Sequence, residues 1–224
     1  MELLILPAEV AGAIFWCEQR ETAVQLEQVT FTGPRLTDGD LLVRLPANLA
    51  GLLPQINGFI QFHGGLHVRG ACHEPDWHSL RDAWDGETAF WRLYPDVNQA
   101  DVPFAEDCMG DQFLLRDGVT HKLAAETGEV ESLGVGLREF FEAVAADPVE
   151  FLSLHPLLQH QEDGGRLEPG QLLAAFPPFC TKESADGVSL AAISTDGRRR
   201  FLADMAAQLR DVPEGDAIKF RVED

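Results

Sequence analysis

An α+β fold is predicted by three features of this 224-residue sequence. Strand-like runs at residues 112–115 and 119–123 are separated only by the turn residues Asp117-Gly118, which is a hairpin pattern. An amphipathic helix follows, because Leu137, Phe140, Phe141, Val144 and Ala145 recur on one face with charges opposite. Residues 1–36 alternate apolar and polar side chains and read as strands rather than helix.

Taken in order, the strand candidates near the N-terminus are 13–17 and 28–32, with 22–26 ambiguous between them. Gly33-Pro34 ends the second. Pro46 opens a short helix in which Leu49, Leu52, Leu53 and Ile56 share a face, Pro54 implies a kink or an early end, and Asn57-Gly58 stops the segment. Residues 59–63 and 66–68 read as strand around a Gly64-Gly65 turn, and 76–84 as one or two exposed helical turns. Thr127-Gly128-Glu129 turns the chain into a strand at 130–133. Beyond the 137–145 helix, a second helix after Asp147-Pro148 runs to about residue 154. Residues 159–166 are polar, carry Gly164-Gly165 and read as a linker. Strands at 172–176, 188–193 and 217–222 and a helix at 199–210 complete the reading.

Charge is the most informative bulk property. Seventeen Lys and Arg against 37 Asp and Glu give a net charge of −20. Such a surface repels nucleic-acid phosphates and anionic membranes and attracts a basic partner. Solubility alone is the other use of that acidity. No stretch reaches the roughly 20 apolar residues of a membrane-spanning helix. The first residues, Met1-Glu2-Leu3-Leu4-Ile5-Leu6-Pro7, carry an acid where a secretory signal would carry bases, which reads as cytoplasmic. Cys17, Cys72, Cys108 and Cys180 form no CxxC pair and are expected to be buried, reduced thiols.

The order of several short motifs resembles the SUKH superfamily, the Smi/Knr-type proteins, over residues 45–152. The carriers are Leu45-Pro46, Ile56-Asn57-Gly58, the block Val102-Pro103-Phe104-Ala105-Glu106-Asp107-Cys108-Met109-Gly110-Asp111-Gln112-Phe113, and Leu137-Arg138-Glu139-Phe140-Phe141. The resemblance implies a central antiparallel sheet with packed helices. It also implies a protein-binding role, often that of an immunity protein that neutralises a cognate toxin. The strands of 1–36 and the piece 165–224 depart from that pattern. Residues 1–160 are therefore read as a SUKH-like domain with an N-terminal strand-rich segment, and 161–224 as a C-terminal α+β extension.

Catalytic and cofactor signatures do not stand out. His63, His67, Cys72, His73 and His78 have metal-ligand residue types, yet no CxxC or HExxH element supports them, and they read as surface or satisfied side chains. There is no GxSxG elbow, phosphate loop or dinucleotide fingerprint. Neighbouring acids raise the Cys108 thiol pKa and blunt it as a nucleophile. Asp107 and Asp111 are expected to cap turn amides around Gly110. Gly197-Arg198-Arg199-Arg200 is the one basic run and is expected to pair with acids.

The expected function is therefore a non-enzymatic, cofactor-free immunity protein that occludes a basic toxin domain, for example a nuclease. The alternatives are an adaptor for a housekeeping protein and a metal-dependent hydrolase built on the His63–His78 region. Acids and aromatics make a plausible contact set for a basic cleft. The candidate partner-binding residues are Glu74, Asp76, Trp77, Asp82, Trp84, Asp85, Glu87, Glu106 and Asp107.

Overall fold

A computed structural model describes residues 13–15, 24–213 and 215. A small antiparallel pair, β1 (Ala13–Phe15) with β2 (Val24–Leu26), precedes the main sheet. That sheet has seven strands: β3 (Val29–Thr32), β4 (Phe59–Gln61), β5 (Leu66–Val68), β6 (Val102–Asp107), β7 (Gln112–Arg116), β8 (Val119–Ala124) and β9 (Glu129–Ser132). Each strand lies antiparallel to the next in chain order. The Asp117-Gly118 turn between β7 and β8 has φ of +50° and +82°, the paired left-handed geometry whose twist matches a tight hairpin. The expected sheet-and-helix architecture is present.

Helices fill the long connections and cover both faces. Between β3 and β4 lie α1 (Gly39–Leu42) and α2 (Ala47–Leu52), and between β5 and β6 lie α3 (Leu80–Asp85) and α4 (Phe90–Leu93). After β9 come α5 (Leu137–Ala146), α6 (Pro148–Phe151) and α7 (His155–Glu162). A separate antiparallel hairpin, β10 (Gln171–Phe176) with β11 (Ser189–Ser194), leads into α8 (Thr195–Leu209).

Register decides which side chains share a face. Phe59, Val68, Ala105 and Phe113 are cross-strand partners in one row. That face packs on α5, where Phe140 lies 4.8 Å from Phe113 and 5.3 Å from Phe104 between ring centroids. The next row, Ile60, His67, Glu106, Gln112 and Leu123, points the other way because successive strand side chains alternate. Here Leu114 and Leu123 join Ala83 of α3, Phe90 of α4 and Leu202 and Met205 of α8 in a second core.

Several local expectations change. Residues 159–162, read as linker, complete α7, whose Leu157 is buried and whose Pro156 suits a first helical turn. The boundary at 160/161 falls within that helix. The chain beyond it does not stand apart, because Leu173 of β10 joins the first core and α8 the second. Pro46 stands at the N-cap of α2 and the helix ends before Pro54, which is the short helix and not the kink of the two expected outcomes. The exposed turns expected at 76–84 are a 3-10 turn (Asp76–His78) and α3, with His78, Ser79, Leu80, Ala83 and Trp84 buried. Helix α8 begins at Thr195, where the Ser194 hydroxyl accepts from Gly197 N, so the arginine run lies past its first turn. Among the cysteines, Cys72 and Cys108 are buried but Cys180 is exposed. The strand expected at 217–222 lies outside the described residues, as do Trp16 and Cys17.

Candidate functional site: an acidic groove backed by a buried charge cluster

Glu106 sits at the centre of the second face with no solvent exposure. Its Oε2 accepts from Arg69 Nη2 (2.9 Å), Gln112 Nε2 (3.2 Å) and Arg199 Nε (3.2 Å). Its Oε1 accepts from Arg199 Nη2 (2.8 Å) and lies 2.9 Å from His67 Nδ1. Arg69 is equally buried and also donates to the Pro103 carbonyl and to Gln112 Oε1. Burial pushes the Glu106 carboxyl up, but Arg199 and Arg69 outweigh it and hold it well below the ordinary carboxylate range. Burial pulls Arg69 down to about 9 against the opposing pull of Glu106.

Two concavities flank this cluster. A cavity of about 630 Å³ opens over the sheet row, with Ile60, His67, Glu106 and Trp77 on one side and the 164–172 loop on the other. Gly170 packs so close to the Trp77 indole that an added Cβ would lie 3.0 Å from its Nε1. On the cavity floor, the polar atoms of Glu106 and His67 lie within hydrogen-bonding distance of one another and of neighbours, and Arg166 and Glu168 stand on the opposite wall. A smaller groove of about 280 Å³ lies beyond the Trp77–Arg199 contact. Asp76, Asp82, Glu87 and Asp196 line it with Arg199 and Arg200, and Phe90 and Leu93 are among its apolar lining. Arg199 is already committed to Glu106, so carboxylates dominate the groove.

The groove brings together three of the predicted contact residues, Asp76, Asp82 and Glu87. Burial holds the Asp82 carboxyl above its ordinary value, with Asp76 adding to the effect and the Ser79 hydrogen bond opposing it. Glu74 is exposed but does not line the groove. Trp77 is half-buried and belongs to the cavity wall. Asp85 is tied to Arg44 in an ion pair.

Three predicted contacts are corrected. Trp84 is buried, its indole N–H donating to the Gln99 carbonyl at 2.9 Å. Glu106 and Asp107 are 0% and 2% exposed, because β6 lies inside the sheet with covers on both faces. Sequence reasoning missed Asp196, and Arg69 as the partner of Glu106. The arginine run did signal acid pairing, which Arg198 meets with Glu126 and Arg199 with Glu106.

Asp107 works as a turn cap: its Oδ1 accepts from Met109, Gly110 and Asp111 N–H groups at 2.9–3.1 Å. Burial, then the Asp111 charge, push its carboxyl up to about 7, with Lys122 opposing. A carboxyl raised on folding costs nothing below its unfolded value of 3.8 and costs progressively more as pH rises towards about 7. Asp107→Asn keeps the capping oxygen and removes the ionisation. Urea midpoints of D107N relative to the parent protein should therefore improve from pH 4 to pH 8; a constant difference would contradict the assignment.

Burial also raises the Cys108 thiol well above its ordinary value, with Asp107 and Asp111 adding to it. Among the described residues no group of three or more His, Cys, Asp or Glu could hold a metal ion, and no helix is long and apolar enough to cross a membrane. His63 and His73 are exposed, whereas His67 and His78 are buried and paired with each other. Comparison with protein-family models and with curated proteins finds no match for this chain.

Proposed function

We propose that this chain is a protein-binding module of the SUKH type, an immunity protein that neutralises a basic toxin domain by covering it. The observation that carries the reading is the groove in which Asp76, Asp82, Glu87 and Asp196 converge on a rigid support. Its frame is held by the Glu106 cluster behind it, so the acids are presented without a large ordering cost on binding. Four cations elsewhere are paired with acids of the chain itself: Arg44 with Asp85, Arg81 with Asp38, Arg116 with Asp101 and Lys122 with Asp111. With a net charge of −20, the field at the surface steers a cationic protein in and repels nucleic acid. A nuclease domain, which needs a basic cleft for phosphates, is the partner class that such a surface suits. The chain acts by occlusion and performs no chemistry of its own.

The test is co-expression with the products of the adjoining genes. A basic toxin domain should co-purify at low salt and be released as salt rises. Asp76→Lys with Glu87→Lys should slow association about tenfold or more. Failure to rescue growth against any adjoining toxin would remove the immunity reading, and capture of a housekeeping protein instead would replace it with an adaptor.

A further inference from the structure

Three contacts run in line through the buried cluster. His78 Nε2 lies 2.9 Å from the Asn57 carbonyl oxygen, His67 Nε2 lies 2.8 Å from His78 Nδ1, and His67 Nδ1 lies 2.9 Å from Glu106 Oε1. A hydrogen bond needs one proton between its heavy atoms, and the two ends of this line supply none. The carbonyl has no proton to give, and Arg199 and Arg69 keep Glu106 ionised. Two neutral imidazoles carry two N–H protons for three contacts. With His78 donating to Asn57, either His67 donates to His78 and its own Nδ1 is left bare against a carboxylate, or His67 donates to Glu106 and both nitrogens between the rings are bare. If His78 instead donates to His67 and His67 to Glu106, the bare nitrogen is His78 Nε2 against the Asn57 carbonyl. Each of the three mismatches places two acceptors face to face in a buried site, where such a clash is costly.

We infer that His67 and His78 form a single proton-binding site, an imidazole–imidazolium pair that completes all three contacts when filled and leaves one of the His67 contacts without a proton when emptied. The side that opens is set by packing. Cβ atoms at Gly33 and Gly70 would lie 2.3 and 2.7 Å from His78 Nε2, and one at Gly58 would lie 2.6 Å from His78 Cε1. Three glycines thus close on that ring, and it stays on Asn57. His67 borders the 630 Å³ cavity and has room to turn, while Glu106 keeps Arg69, Arg199 and Gln112.

The charged groups facing the pair are Glu106 from β6, Arg69 just after β5, and Arg199 from α8; the Trp77 ring, 5.1 Å from His67 and 5.4 Å from His78, is neutral. Burial and the two guanidiniums oppose the proton and Glu106 favours it. Burial is the largest cause for both rings, holding His67 below its ordinary value and pushing His78 down to about 3. The site therefore fills on the acid side of the ordinary histidine range. Filling tightens the hold on Glu106, the carboxylate to which Arg199 of the acidic groove is bound.

Nitrogen-15 NMR of the histidine-labelled full chain, titrated from about pH 8 down to about pH 3 within the folded range set by circular dichroism, reads this directly. His67 and His78 signals, assigned with His67→Gln and His78→Gln, should move together at one midpoint below 6.5 and take up one proton between them. Glu106→Gln should abolish the step, because its amide N–H supplies the missing proton to His67 Nδ1. The proposal is overturned if the parent protein shows two independent midpoints with a full proton each, or two neutral rings throughout. Sequential assignment of the parent protein's own histidine signals gives the same reading, so a variant that does not fold leaves the outcome intact.

Discussion

Glu106→Ala is expected to lower the unfolding free energy by about 3–5 kcal/mol, the range found when one partner of a buried ion pair is removed. The reason is what the substitution leaves behind. Arg69 has no solvent exposure, and without Glu106 its guanidinium keeps only Gln112 and backbone carbonyls as partners. Arg199 loses the carboxylate that ties α8 to β6, across 93 residues of sequence. Against a typical total stability of about 5–15 kcal/mol, the loss is large. Urea unfolding with an unchanged denaturant slope measures it. Its pH dependence has a definite sign. The Glu106 carboxyl is depressed in the fold, so its contribution is present above the unfolded value of 4.5 and is lost as pH falls through the lower folded value. In Glu106→Ala that part of the acid-side decline should be missing. A loss below about 1 kcal/mol would mean that the cluster is an ordinary surface pairing.

Phe140→Ala should cost a similar amount, about 3–5 kcal/mol, for a different reason. Its ring is fully buried and meets Phe104, Phe113, Phe141 and Phe151 at centroid distances of 5.3, 4.8, 5.4 and 5.5 Å. Truncation leaves a hole between α5 and the sheet that rigid neighbours on β6, β7, α5 and α6 cannot fill. The loss should be independent of pH and salt, which separates it from the Glu106 effect. Phe176→Ser provides the contrast: the side chain is 78% exposed on β10, and its replacement should change stability by no more than about 0.5 kcal/mol. If Phe140→Ala were equally silent, α5 would not be part of the cooperative unit.

How far the fold was legible depends on the range of the signal. The β7–β8 hairpin was readable because Asp117-Gly118 demands a positive φ at both positions. Helix α5 was readable because its apolar face repeats within a few turns. Helix α7 was missed because Gln159, His160 and Gln161 are polar, and what holds that helix is burial of Leu157 against a distant core. Three groove acids were legible from their residue type and crowding. Glu106 and Asp107 looked identical to them, since nothing local distinguishes an acid on an exposed loop from one on an interior strand.

The sequence by itself determined the class of fold, the hairpin turns, the α5 face and the acidity, because these follow from backbone preferences, short periodicities and composition. Tertiary structure alone decided that Glu106 lies under α8, that His67 and His78 meet, and that Asp196 joins Asp76, Asp82 and Glu87 in one groove. Strand register and the docking of α8 create these neighbours from residues far apart in the chain. Whether a charge is buried or offered to a partner is a property of that packing, which no local pattern encodes.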